Sequence, residues 1–341
     1  MKKIPPGYIM PSAAYTITKK HVKFYAFMDK QPEVGDVVYG RVARIGQHSE
    51  LENKSGRIHT INDGMKGIFV FGNRYAPDYY EGFVPEAMKT EVDLIARSGV
   101  VGRITTKNSS IKDPTRVRLL GYVCGDDGTV VNTRNFSLVK PTRLAKKTNR
   151  SKLVLVVGTS MNSGKSTSAV ACCWALSTMG YDVRASKITG TASLKDILYM
   201  QDAGAKVVND FTHFGFPSTY MLDEDDILHI FNYLDLKFGN NPKNYWVVEV
   251  ADGLLQRETS MLLNSEDVRS RIHRLVFAAH DAFGAVGGID VLKRRFGLVP
   301  DAISGVCSGS PLAIRELSEF TSIPVFNNRE RNLNELSELL L

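Results

Sequence analysis

Hydrophobic and polar positions follow two different rules along this chain. Up to about residue 138, short apolar-alternating runs recur between turn signals, at 37–45, 67–71, 100–104 and 117–123. A period of two is that of a half-buried strand. Asn62-Asp63-Gly64 and Asp126-Asp127-Gly128 have the composition of hairpin turns. No helix of more than about three turns is predicted in this half. From Lys152 onward, predicted strands at 153–157, 182–187, 245–250, 274–279, 302–306 and 323–326 alternate with helical stretches. These include 168–179, 225–238, 287–296 and 311–320. The first pattern predicts a small all-β, barrel-like domain over 1–138. The second predicts an α/β domain over 153–341, its mostly parallel sheet covered by helices. Residues 139–152 are basic, contain no acid and lack apolar periodicity, so they read as a linker, either solvated or touching phosphates. The terminal stretch 329–341 has the pattern of an amphipathic helix, which either caps the sheet or forms a homodimer contact.

The first strand of the second half runs into Gly158-Thr159-Ser160-Met161-Asn162-Ser163-Gly164-Lys165-Ser166-Thr167. Strand, Gly-rich turn, Gly-Lys-Ser and helix form the context of a phosphate-binding loop. The backbone around Gly158, Thr159, Asn162, Ser163 and Gly164, with Thr167 behind, would curl about a polyphosphate at a helix N-terminus. Lys165 would reach the terminal phosphates, and the Ser166 hydroxyl would ligate Mg²⁺.

In a parallel sheet, ligands sit beyond the carboxyl ends of the strands. The candidates there are Lys187, Glu249 with Asp252, His280, and the Cys307-Ser308-Gly309-Ser310-Pro311 turn. An acid ending a buried strand is costly unless it meets a cation or a donor, which makes Glu249 a candidate Mg²⁺ ligand. His280 is placed to bind or protonate an acceptor.

Five residues separate Gly158 from Gly164, a spacing that resembles the dethiobiotin-synthetase-like branch of P-loop proteins. Ala185-Ser186-Lys187-Ile188-Thr189-Gly190-Thr191 is similar to that family's Lys-Pro-Val-x-x-Gly element, and Trp246-Val247-Val248-Glu249-Val250-Ala251-Asp252-Gly253-Leu254 to its Val-Glu-Gly-Ala-Gly-Gly-Leu element. The resemblance spans roughly 152–330. It implies that Lys187 neutralises charge on a transferring phosphoryl group and that Glu249 and a downstream aspartate organise Mg²⁺. Asp202 matches best by distance, with Asp196 and Asp210 as the other choices. Asp252 replaces a family glycine and would add an acid or touch the acceptor. Ser308 or Cys307 stands where the family has the asparagine that reads adenine, so ATP is the default and GTP stays open. Thr159 and Ser160 occupy the places of the early lysine found in some ATPases of the branch, so a dimer-dependent mechanism is not implied. Neither is biotin synthesis itself, because the base and substrate positions are unmatched.

A second stretch, Thr189-Gly190-Thr191-Ala192-Ser193 followed by 202–211, resembles P-loop proteins related to a D-glutamate N-acetyltransferase. That resemblance implies a loop holding the pyrophosphate of coenzyme A. In the first half, Gly35-Asp36-Val37-Val38-Tyr39-Gly40-Arg41-Val42 resembles the opening strand of an oligonucleotide-binding-type barrel. Phe69, Phe71, Tyr75, Tyr79 and Tyr80 beside Arg74 are either barrel core or a base-stacking surface.

Bulk properties narrow these readings only a little. Net charge is +7, with a pI near 9.1, compatible with anionic ligands. The four cysteines have no metal-ligand or redox spacing. No apolar run is long enough to span a membrane, and no signal-like segment follows Met1-Lys2-Lys3, so a reduced, cytoplasmic chain is expected. The leading expectation is a Mg-ATP-dependent phosphoryl-transfer or ligase-type enzyme acting on a small acceptor. The alternatives are a nucleotide-switched module gripping nucleic acid or protein, and a coenzyme-A-dependent N-acyltransferase.

Overall fold

A computed structural model describes residues 1–141 and 144–341. Its contacts divide the chain into two units. The first comprises Met1–Pro141 together with Gly190–Lys195 and Phe211–Met221; the rest of the described chain forms the second. Two short stretches of the second half of the sequence thus belong with the β-rich half, which a division at residues 138–153 does not anticipate.

The first unit contains β1 (Lys2–Lys3), β2 (Phe24–Ala26), β3 (Val37–Arg44), β4 (Glu50–Glu52), β5 (Ile58–Thr60), β6 (Lys66–Phe71), β7 (Arg74–Tyr75), β8 (Tyr80–Phe83), β9 (Glu91–Leu94), β10 (Val100–Lys107) and β11 (Thr115–Cys124). Five strands close on themselves in the order β11-β3-β6-β10-β9 and back to β11. Only β6–β10 is parallel among these pairings. Closure leaves no free edge within this ring, while β2 with β1 extends from β11 and β8 with β7 extends from β10. The interior is filled by Val38, Val42, Phe69, Phe71, Leu94, Val101, Val117 and Tyr122. β3 and β6 are buried on both faces rather than alternating, and the turn Ser12–Ala14 packs on β6 from outside.

The second unit contains β12 (Lys152–Gly158), α1 (Lys165–Thr178), β13 (Asp182–Lys187), α2 (Leu194–Asp202), which begins in the first unit, β14 (Val207–Asp210), α3 (Glu224–Gly239), β15 (Asn244–Glu249), α4 (Arg257–Asn264), α5 (Glu266–Arg269), β16 (Ile272–Ala279), α6 (Ala282–Val291), β17 (Ala302–Gly305), α7 (Pro311–Ser318) and α8 (Leu333–Leu340). The sheet is wholly parallel, in the order β14-β13-β15-β12-β16-β17. β12 and β15 are buried along nearly their whole length, as strands covered on both faces must be. This is a P-loop α/β fold preceded by a smaller β-barrel unit.

Three local outcomes differ from the sequence reading. The run at 323–326 makes only an isolated parallel bridge, Val325 to Ile303, where Pro324 lacks a donor to extend the ladder. α6 starts five residues earlier than its apolar pattern, because Asp281 accepts the Gly284 N–H at 2.7 Å and caps it. The linker is not a free charged run. Thr142 and Arg143 lie outside the described residues, but Arg150 is largely buried and ion-paired to the fully buried Asp235 of α3, which Arg271 also contacts at 2.9 Å. Lys146 donates to Asn232 at 3.2 Å, and the Lys147 N–H to Asn240 at 3.1 Å. The terminal α8 packs on α1, burying Leu336 and Leu340.

Candidate functional site

β12 is central in the sheet, and its carboxyl end delivers the loop into α1. Gly164 sits at the helix N-cap with φ 98°, a left-handed conformation that glycine adopts without strain. Gly305, at the end of β17, approaches so closely that an added Cβ would lie 2.4 Å from the Ser163 carbonyl oxygen. The first intrahelical bond runs from the Ser168 N–H to the Gly164 carbonyl at 2.9 Å. The N–H groups of Lys165, Ser166 and Thr167 therefore point out of the helix end, where an anion would be held. Asn162 has φ 60°, which an asparagine tolerates. The Thr159 Oγ1 and Ser163 Oγ atoms are buried and without a hydrogen-bond partner among the described residues.

Strand register builds the rest of the site. Lys187, Glu249 and Val156 are neighbours across β13, β15 and β12, and Asp210 is next to Lys187 on β14. Three charged side chains thus end adjacent strands in a row. Ser166 Oγ donates to Glu249 Oε1 at 2.8 Å, while Glu249 Oε2 is buried and has no hydrogen-bond partner among the described residues. Lys165 Nζ donates to the Ser160 carbonyl at 2.6 Å. Lys187 Nζ bonds and ion-pairs with Asp196 of α2.

Electrostatics separate the two lysines. Burial lowers the Lys165 pKa, with Glu249 and Asp252 opposing it. Burial would lower Lys187 too, but Asp196, Glu249 and Asp252 outweigh it and hold its ammonium above the ordinary lysine value. Burial raises the Glu249 pKa, with Lys187 as the chief opposing charge. A carboxylate in this setting is favoured by any added cation.

Asp196, rather than Asp202, is brought to Lys187. Asp202 is exposed at the last residue of α2, six residues and ~240° further round the helix. Asp210 is fully buried in register with Lys187. Asp252 is half-buried and acts electrostatically on both lysines. His280 is exposed at the end of β16, its Nδ1 3.9 Å from Asp281. Ser308 is buried and its hydroxyl donates to the Gly305 carbonyl at 2.8 Å. Phe69, Phe71 and Tyr80 are buried barrel side chains, and Arg74 is buried with them, which removes most of the base-stacking surface.

No family model matches the chain, and no curated protein matches it. Solved structures do. A DUF1611 family protein from Anabaena variabilis aligns at 16% identity and TM-score 0.39, over 59% of this chain and 62% of that one. A ParA family ATPase from Chlorobium tepidum TLS aligns at 12% identity and TM-score 0.36, over 57% and 90%. The signal recognition particle receptor FtsY from Elizabethkingia anophelis, in complex with GDP, aligns at 12% and 0.34, over 60% and 69%. The chain thus spans 62% of the length of the DUF1611 protein. None of the three is a dethiobiotin synthetase. The P-loop fold is shown by the strand order and by the loop itself.

One contributor carries no signal in sequence spacing. Asn328, buried after the bridge at Val325, donates to Ser168 Oγ at 3.0 Å, and that hydroxyl donates to the Gly164 carbonyl at 3.0 Å. It steadies the first turn of α1 from a point 160 residues away in the chain.

Proposed function

We propose that this chain is a Mg²⁺-nucleotide-dependent phosphoryl-transfer enzyme, of kinase or ligase type, acting on a small acceptor. The observation that carries the proposal is Glu249. It is a fully buried carboxylate with one oxygen on the Ser166 hydroxyl of the phosphate loop and the other without a hydrogen-bond partner among the described residues. Hard divalent cations take oxygen ligands, and Mg²⁺ commonly uses one or two protein groups plus substrate phosphates and water. Among the described residues no three His, Cys, Asp or Glu side chains cluster as a metal cage, which suits a site completed by substrate. Ser166 and Glu249 would hold Mg²⁺, whose chemistry there is to offset charge on the phosphates.

The chain's own groups do the positioning. The amides of the α1 first turn and Lys165 bind the nucleotide phosphates, and Lys165 leaves the Ser160 carbonyl to do so. Lys187 keeps its proton through Asp196 and offsets charge gathering on the transferred group. The acceptor enters beyond β15 and β16, near Asp252 and His280. Its attacking atom bonds to the terminal phosphorus as the bridging oxygen leaves with the diphosphate.

Calorimetric titration with ATP, GTP and coenzyme A, each with and without Mg²⁺, tests this. Mg²⁺-dependent binding of ATP or GTP is expected. Lys165→Ala should weaken it by at least ~100-fold, and Glu249→Gln should abolish its Mg²⁺ dependence. Binding of coenzyme A alone would overturn phosphoryl transfer and move the chemistry to acyl transfer.

A further inference from the structure

The first unit carries a cavity of about 190 Å³, whose walls include Tyr75, Tyr79, Tyr80, Glu81 and Thr106. Glu81 is the one charged side chain in the lining. It lies on β8, facing Tyr75 on β7 and Thr106 on β10 in the strand register, so strands rather than loops fix these three. Glu81 Oε1 accepts from the Tyr220 hydroxyl at 2.6 Å. Oε2 has the Thr106 and Thr105 hydroxyls at 3.4 and 3.5 Å. These donors are neutral, and among the described residues no basic side chain forms an ion pair with Glu81. A half-buried carboxylate is thus held in place with its charge unmatched, beside three phenol rings.

We propose that this cavity binds a small organic ammonium group. Aromatic faces attract a cation through the ring quadrupole, and the adjoining carboxylate supplies the counter-charge. A hard metal ion fits poorly, because one carboxylate and a few hydroxyls fall short of six oxygen ligands. A neutral apolar guest would displace water from Glu81 and leave only neutral hydroxyls to offset its charge. The volume suits an ammonium head with a few carbons. Arg74 limits the affinity: its guanidinium lies 5.2 Å from the Tyr79 ring centroid, and Tyr79 also stacks on His48. Tyr75 in turn packs on the Tyr220 ring, with centroids 5.6 Å apart, so Glu81 carries most of the recognition and the rings add to it, and dissociation constants on the order of 1 mM are expected.

The test titrates the full chain with choline, n-propylammonium and the neutral carbon isostere of choline, followed by calorimetry and tyrosine fluorescence. Saturable binding of either ammonium, about tenfold or more tighter than the neutral isostere, is expected. Glu81→Gln should weaken the ammonium by about tenfold with the melting temperature kept. Should that variant not fold, the comparison of choline with its isostere in the unmutated chain decides alone. Lys165→Ala should leave ammonium binding unchanged, which separates this site from the nucleotide reading. Equal affinity for choline and its isostere, or no saturation by any ammonium at about 50 mM, would overturn the proposal.

Discussion

Lys165 and Lys187 share one cluster and shift in opposite directions, which shows how a single contact decides a buried charge. Among the described residues Lys165 Nζ bonds a carbonyl and no acid, so burial dominates; Lys187 has Asp196, so the acids dominate. Asp196→Asn removes the acid that Lys187 bonds directly and leaves Glu249 and Asp252 as its remaining counter-charges. It should therefore cost about 1–2 kcal/mol in urea unfolding, less than a fully broken buried pair, whereas Asp202→Asn, at an exposed helix end, should stay within about 0.5 kcal/mol. Equal costs would return Asp202 to consideration at the site. His48 gives a pH signature in the barrel. Burial, then the Arg74 charge, push its pKa down to about 3 from 6.5. The unfolded chain binds that proton at higher pH than the folded one. Its contribution to stability is thus present above about pH 6.5 and is lost as pH falls toward 3. His48→Gln should flatten the acid limb of stability in that window, as read from melting temperatures between pH 7 and pH 4.

Elements were legible where pattern and local chemistry agreed. The predicted strands at 182–187 and 245–250 fall within a residue of β13 and β15; β15 is apolar along most of its length, as a strand covered on both faces must be, whereas β13 is largely polar and shows itself by its place between two helices. β14 escaped notice: Val207-Val208-Asn209-Asp210 is four residues long, half polar and at the sheet edge. The same pattern placed a strand at 323–326, where Pro324 allows only one bridge. Close packing of β17 on the loop makes a prediction at this scale. Gly305 has φ 104°, and a Cβ there would lie 2.4 Å from the Ser163 carbonyl oxygen and 2.5 Å from that of Ala279. Gly305→Ala should destabilise the second unit by about 2 kcal/mol or more and weaken nucleotide binding, whereas Gly309→Ala, in open space, should do neither. Paired denaturation and titration of the two variants checks this.

At the scale of the whole molecule, the β-rich half is not self-sufficient in sequence. Glu52 accepts the Leu194 N–H at 2.8 Å, Thr133 donates to the Gly215 carbonyl at 2.6 Å, and the Arg134 guanidinium lies 4.9 Å from the Phe216 ring centroid. A fragment ending at residue 141 leaves the fully buried Glu52 and Thr133 without these partners. It should melt well below the first transition of the full chain, or aggregate, by circular dichroism; a fragment melting like the intact unit would show that 190–195 and 211–221 are not needed by the barrel unit. The sequence alone determined the phosphate loop, the parallel α/β half and the β-rich half, because glycine spacing and hydrophobic period act over a few residues. Only the tertiary structure decided which aspartate meets Lys187, that Asn328 braces α1, that Arg150 is a buried partner of Asp235, and that 190–195 and 211–221 complete the β-barrel unit. Each depends on strand order, register or helix rotation, which bring together residues from 9 to about 160 positions apart in the chain.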